Sequence, residues 1–174
     1  SGFDKGYSSS SPAGFPKESP ACPGVTTGTP HDGVALEVTL DEMVIVCKAV
    51  RRGVKRALVS VDFPFGPLQQ GSDAALAAAI RLVKEAGADM VKLDGAAEFP
   101  ESVRAIARAG IPVFAQFGIT PQTALAHGVD YATMLKTGLQ LPPAMSAKLV
   151  EQAQRLEEAG ASLLDFTHSG PVAG

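Results

Sequence analysis

The stretch EAGADMVKLDG, residues 85–95, contains the pattern that decides the fold. A helical pattern ends in it, the chain turns at Gly87, and an apolar strand pattern begins. Similar joins recur as RAGIP at residues 108–112 and EAGAS at residues 158–162. A helix end, a left-handed glycine and a strand start, repeated in this order, are typical of successive αβ units.

Outward from these joins, helical and strand patterns alternate along the chain. Four strands are predicted, within ALVSVDF (57–63), ADMVKLDG (88–95), IPVFAQFG (111–118) and ASLLDFTHSG (161–170). Helices are predicted at 37–53, 72–87, 100–110, 120–128 and 142–160. Near-continuous apolar strands between amphipathic helices indicate an α/β protein with a parallel sheet, either an open doubly wound sheet or part of a (βα) barrel.

Several helix ends carry recognisable signals. Thr39 and Glu42 form a capping-box pattern at the first helix, and Gly53 is predicted to be its C-terminal glycine. Either Ser72 or Asp73 is expected to cap the second helix.

Composition limits the class of protein. The chain has 174 residues, 45% of them hydrophobic and 19% charged, which predicts one soluble globular domain with a single core. The formal net charge of −3 and the lack of a long apolar run argue against nucleic-acid and membrane partners. Cys22 and Cys47 are too few for a disulfide framework, so a cytoplasmic location is expected.

Polar side chains collect where the predicted strands end, which is the edge at which both candidate architectures place their active sites. They are Asp62, Lys92, Asp94, Gln116, Asp165, Thr167 and His168. Because strand positions i and i+2 share a face, the Lys92 ammonium and the Asp94 carboxylate should emerge together. This pair is either a surface ion pair or a site for an anionic or carbonyl substrate, or for a metal.

The other rim residues also allow two interpretations. Asp62 precedes Pro64 and is either a strand-end turn cap or a metal ligand. Gln116 hydrogen-bonds either a substrate carboxylate or a neighbouring loop. His168 is either an ordinary loop histidine or a catalytic base, since an imidazole has a suitable pKa.

At VSVDFPFG (59–66), MVKLDGAAE (90–98) and FGITPQT (117–123) the chain resembles the ketopantoate hydroxymethyltransferase family. This family belongs to the phosphoenolpyruvate and pyruvate (βα)8-barrel superfamily, and the resemblance covers about residues 31–168. It implies a TIM-barrel type of fold, of which four βα units are clear here, a partial or half barrel. Residues 1–36, rich in Ser, Pro and Gly, are then an arm or loop before a barrel-type domain at 37–174.

The resemblance also implies a function in pantothenate biosynthesis. Members bind Mg2+ and a small 2-oxo acid, remove an enolising proton and add a hydroxymethyl group from methylenetetrahydrofolate. By their motif positions, Asp62 would be a metal ligand and Lys92 would neutralise the 2-oxo acid or its enolate. Asp94 stands where the family has a glutamate near the metal, and Gln116 where it has a histidine; both are candidate substrate-binding residues.

Two departures from the family pattern favour an alternative function. The stretch ACPGVTTGTP, residues 21–30, lacks the aspartate of the family's second metal ligand. Thr167 stands where the family has its glutamate base, which leaves His168 as the candidate base. The alternative is a non-catalytic or small-molecule-binding paralogue that kept the scaffold.

The four clear units also predict that the chain has partners. A full barrel has eight units, so this chain is either part of a longer polypeptide or a half barrel with open sheet edges. Open edges need cover from the arm or from another subunit, and a homo-oligomer is therefore expected.

Overall fold

The computed structural model describes residues 36–120, 122–123 and 143–167. Several predictions lie outside these residues: the arm before residue 36, Cys22, most of the helix predicted at 120–128, and the candidate base His168.

Helices and strands alternate within the described residues, as the sequence predicts. The elements are α1 (Leu40–Gly53), β1 (Ser60–Asp62), α2 (Ser72–Ala86), β2 (Met90–Leu93), a 3-10 turn (Ala96–Glu98), α3 (Pro100–Arg108), β3 (Val113–Gly118), α4 (Pro143–Glu158) and β4 (Leu163–Thr167).

The four strands form one parallel sheet in the order β1-β2-β3-β4. Each strand pairs with the next one along the chain, whereas a doubly wound sheet reverses its order near the middle. Right-handed connections between consecutive neighbours place their helices on the same face of the sheet. The prediction of an α/β fold with four parallel units is confirmed, and the order is that of a partial (βα) barrel.

The two faces of the sheet differ in character. One face packs under the helices and forms the core, with buried side chains of Val61, Val91, Leu93, Val113, Ala115 and Phe117. Residues between these positions point to the opposite face, which is only partly buried and carries Asp62, Lys92, Gln116 and Asp165. In a closed barrel this second face would line the interior.

The ends of α1 follow the sequence signals in part. The capping box is confirmed, because the Glu42 N–H donates to Thr39 Oγ1 at 3.3 Å and the Thr39 N–H donates to Glu42 Oε2 at 2.8 Å. The helix ends at Gly53, as predicted, but the expected cap was wrong: Gly53 is the last helical residue, and Val54, in an extended conformation, is the C-cap.

The prediction for the start of α2 was also wrong. Its N-cap is Gly71, which makes no side-chain cap, and Ser72 is already the first helical residue. Gly71 has φ +108°, a backbone conformation that glycine adopts without the strain a Cβ would add.

The repeated joins adopt the predicted conformation. Gly87, Gly110 and Gly160 all have positive φ, of +76°, +83° and +96°. Each lets the chain leave a helix and enter the next strand within a few residues. Among the described residues, no helix combines the length and the apolarity that a bilayer crossing requires.

Candidate active site at the carboxyl edge of the sheet

Lys92 lies at the centre of the polar edge. It projects from β2 on the face opposite the described helices, and its ammonium lies 5.5 Å from the centre of the Phe114 ring on β3. The Nζ is 3.2 Å from Asp165 Oδ2 on β4 and 3.9 Å from Asp62 Oδ1 on β1. Lys92, on β2, therefore contacts one residue on each of the other three strands.

The strand register explains this reach. Asp62, Lys92, Phe114 and Leu163 form one row across the sheet, and Gln116 with Asp165 begins the next row toward the carboxyl edge. The lysine side chain is long enough to cross above β3 and meet a carboxylate on β4. Only 24% of its side chain is exposed, so water screens the charge less than it would on an open surface.

Asp94 forms no ion pair with Lys92, so the first of the two alternatives for this pair is not observed. Its Oδ2 accepts a hydrogen bond from the Gln122 backbone N–H at 3.3 Å, while its Oδ1 is buried without a partner among the described residues. Burial raises the pKa of Asp94, although Thr120, the Gln122 N–H and the charge of Lys92 act in the opposite direction. The carboxyl group is thus poised to accept a further hydrogen bond or a positive charge.

Gln116 hydrogen-bonds a neighbouring residue. Its Nε2 donates to Thr167 Oγ1 at 2.6 Å, diagonally across β3 and β4. The residue directly opposite Thr167 is Gly118. An amide and a hydroxyl therefore satisfy each other at the position where the resemblance places a glutamate base.

The role of Gln122 was missed at the level of the sequence. Its Nε2 donates to the Phe63 carbonyl at 3.5 Å, and its Oε1 accepts from Gln69 Nε2 at 3.3 Å. Together with the contact from its N–H to Asp94, Gln122 joins the segments that follow β1, β2 and β3. The signal was present in GITPQT, but a polar residue in a loop does not reveal its partners before the strand order is known.

Asp62 has a side chain of the type that binds Mg2+. It ends β1, its side chain is 77% exposed, and its carboxylate offers the oxygen ligands that Mg2+ prefers. No three acidic, histidine or cysteine side chains converge on one point within the described residues. Since Mg2+ commonly binds one or two carboxylates and completes its shell with water and substrate, Asp62 fits one position of such a site.

Comparison with known proteins identifies the family. The family model for ketopantoate hydroxymethyltransferase matches residues 25–169, most of the chain. The chain belongs to the ketopantoate hydroxymethyltransferase family. Membership agrees with the resemblance noted in the sequence and with the barrel-type order of the strands.

Curated relatives of the ketopantoate hydroxymethyltransferase family give the same result. A 3-methyl-2-oxobutanoate hydroxymethyltransferase of Parabacteroides distasonis is 45% identical over 125 residues, 72% of this chain and 44% of the relative. The enzyme of the same name from Flavobacterium johnsoniae is 43% identical over 125 residues, with the same coverage. That of Gloeobacter violaceus is 41% identical over 134 residues, 76% of this chain and 49% of the relative. The chain thus spans less than half the length of these relatives.

Proposed function

We propose that this chain contributes Lys92 and the residues around it to the active site of a hydroxymethyltransferase. The enzyme would act on a small 2-oxo acid such as 3-methyl-2-oxobutanoate, in pantothenate biosynthesis. The observation that supports this function best is the position of Lys92. Its ammonium is partly desolvated, lies at the carboxyl edge of a barrel-type sheet, and faces the side that would line the barrel.

The chemistry follows from that ammonium. A 2-oxo acid loses a proton from C3 only if the negative charge that moves to its C2 oxygen is stabilised. Lys92 places a fixed positive charge where that oxygen can lie. The C3 carbon of the enolate then forms the new bond to a one-carbon unit, for which methylenetetrahydrofolate is the proposed donor. Both carbon–nitrogen bonds of the donor methylene would break, water would supply the hydroxyl oxygen, and tetrahydrofolate would leave.

The balance of charge supports a cation in the same site. Lys92 contributes one positive charge, whereas Asp62 and Asp165 near it contribute two negative charges, with Asp94 close by. An anionic 2-oxo acid would be repelled unless this excess is offset. We propose that Mg2+ at Asp62 offsets it and, when bound, polarises the carbonyl group of the substrate.

Lys92→Met in the intact polypeptide tests the proposal. We expect the rate of deuterium exchange at C3 of 3-methyl-2-oxobutanoate, followed by proton NMR in D2O with Mg2+, to fall about 100-fold or more. Lys84→Met is the matched control, because Lys84 is an exposed lysine in the last turn of α2, outside the site. Equal exchange rates in the two variants would refute the role of Lys92.

The contact between Gln116 and Thr167 favours a second candidate, a paralogue that binds a small molecule without catalysis. Two neutral side chains satisfy each other at the position of the family's base. Calorimetry distinguishes the candidates when it is combined with the exchange assay. Mutually dependent binding of Mg2+ and 3-methyl-2-oxobutanoate without C3 exchange is expected of the paralogue, and binding with exchange of the enzyme.

A further inference from the structure

We propose that Asp165 is the general base that removes the C3 proton of the 2-oxo acid. This inference rests on the proposed function and assigns to it a catalytic group that the family resemblance does not supply. A hydroxyl group such as that of Thr167 is too weakly basic near neutral pH for this step. The carboxylate of Asp165 has the right chemistry and lies next to the group that would hold the substrate.

The strand geometry places Asp165 on the correct face. Residues 165 and 167 lie two positions apart in β4, so their side chains share the face opposite the helices. Their Cα atoms are separated by about 7 Å along the strand. Position 167 therefore carries no carboxylate, but position 165, the preceding residue on the same face of β4, does.

The distance to Lys92 brings Asp165 within reach of the reacting carbon. Asp165 Oδ2 lies 3.2 Å from Lys92 Nζ. A C2 oxygen that accepts a hydrogen bond from that ammonium lies about 3 Å from it, and C3 is only two bonds from this oxygen. A carboxylate that contacts the ammonium can therefore reach C3 of a substrate bound there and take its proton by direct contact.

The step balances within the site. An oxygen of Asp165 takes the proton from C3, and the electron pair of the C3–H bond forms the C2=C3 double bond. The electrons of the C2=O bond move to oxygen, where the Lys92 ammonium stabilises the charge. In D2O the carboxyl group exchanges its proton for deuterium and returns deuterium to C3.

Position also favours Asp165 over the other carboxylates near Lys92. Asp62 is farther from Nζ, at 3.9 Å, and is far more exposed, with 77% of its side chain accessible against 31% for Asp165. Asp94 forms no ion pair with Lys92, and its Oδ2 accepts the Gln122 N–H. Asp165 combines the shortest contact with partial burial.

The test is Asp165→Asn in the intact polypeptide, which keeps the size of the side chain but removes its basicity. We expect C3 exchange of 3-methyl-2-oxobutanoate to slow by about 100- to 10,000-fold, the range in which a general base contributes. The Kd of the 2-oxo acid should stay the same or decrease, because Lys92 loses a competing partner. Unchanged binding also shows that the variant is folded. Asp73→Asn, the same change at an exposed site on α2, should keep the wild-type rate.

Three results decide between this inference and the proposed function. If wild-type protein exchanges C3 deuterium and Asp165→Asn does so at the same rate, Asp165 is not the base although the function stands. Loss of exchange in His168→Gln while Asp165→Asn keeps the wild-type rate would likewise assign the role to His168. If the wild-type protein itself shows no exchange, the proposed function fails and the role of Asp165 with it.

Discussion

At the scale of single residues, burial of the Asp94 carboxyl group lowers the stability of the folded protein when the group is ionised. Its Oδ1 is buried without a partner among the described residues, and burial raises its pKa above the ordinary value of 3.8. An ionisable group with a raised pKa in a cleft is typical of sites that bind ligands. A ligand that donates a hydrogen bond or brings positive charge would remove this cost.

This predicts a pH-dependent gain of stability in Asp94→Asn. Because the folded carboxyl has the higher pKa, the folded state binds more protons than the unfolded state between the two pKa values. The unfolding free energy of the wild type therefore falls as pH rises from about 3.8 through the folded pKa, and then levels off. The asparagine side chain does not titrate, so Asp94→Asn loses no stability in this pH range. The variant should therefore become more stable than the wild type as pH rises through it.

Urea unfolding at pH 3 and pH 7 measures the effect. The side-chain oxygen of the new amide can still accept the Gln122 N–H, which keeps the comparison matched. Asp73→Asn, an exposed carboxylate in the first turn of α2, should show no gain between the two pH values. A loss of stability in Asp94→Asn at pH 7 would contradict the prediction.

At the scale of secondary-structure elements, the contact between β3 and β4 depends on Gly118. This residue has φ +94°, and a Cβ attached to it would lie 2.6 Å from the carbonyl oxygen of Thr167. A side chain at this position would both strain the backbone and push β4 away from β3. That would disturb the placement of Asp165, which lies on β4.

Gly118→Ala is expected to lower the unfolding free energy by about 1–3 kcal/mol, because the new methyl group meets backbone that cannot move aside cheaply. Urea midpoints measure the change. Gly53→Ala is the matched control: Gly53 ends α1, has an ordinary φ, and no atom lies within 4 Å of the place that its new methyl group would occupy, so no loss is expected. The prediction fails if both variants unfold at the same midpoint.

The elements themselves were predictable because their signals are local. Period-2 and near-continuous apolar patterns located the four strands, and the glycines at 87, 110 and 160 located the joins. The cap of α2 was mispredicted because the positive φ of Gly71 brings the chain into the helix one residue earlier than a Ser72 cap would.

The arrangement of the site was less predictable because it depends on long-range order. That polar residues gather at the strand ends follows from strand direction alone. The contact of Lys92 with Asp165 instead of Asp94 depends on β4 lying two strands from β2, and on the lysine crossing above Phe114. Neither fact can be deduced from residues two positions apart.

At the scale of the whole molecule, the described sheet has two edge strands, β1 and β4, and apolar side chains near one of them. Leu163 and Phe166 are each 47% exposed, and Leu164 is also exposed. Parallel edges with apolar side chains tend to pair with other chains. Self-association through this edge, as in the homo-oligomer that the sequence predicts, stays a prediction.

Leu164→Lys should weaken this association, because a charged side chain on an edge strand opposes pairing. Light scattering over a dilution series is expected to show dissociation at a concentration about tenfold higher than for the wild type, equivalent to about 1.4 kcal/mol. Ile80→Lys places the same charge on an exposed apolar position of α2, away from the edge. A wild-type mass that corresponds to a monomer at every concentration would exclude the proposed self-association.

The consecutive order of the strands also has a consequence for how the chain folds. The β2–β3 pairing joins Val91 to Val113, whereas the β3–β4 pairing joins Phe114 to Leu163, so the first closes a much shorter loop. Closing a short loop costs less chain entropy, and folding rates rise as contacts become more local. The central β2–β3 pair, which includes Lys92, is therefore the favoured nucleus. β4 and its Asp165 would then add to a template that is already in place.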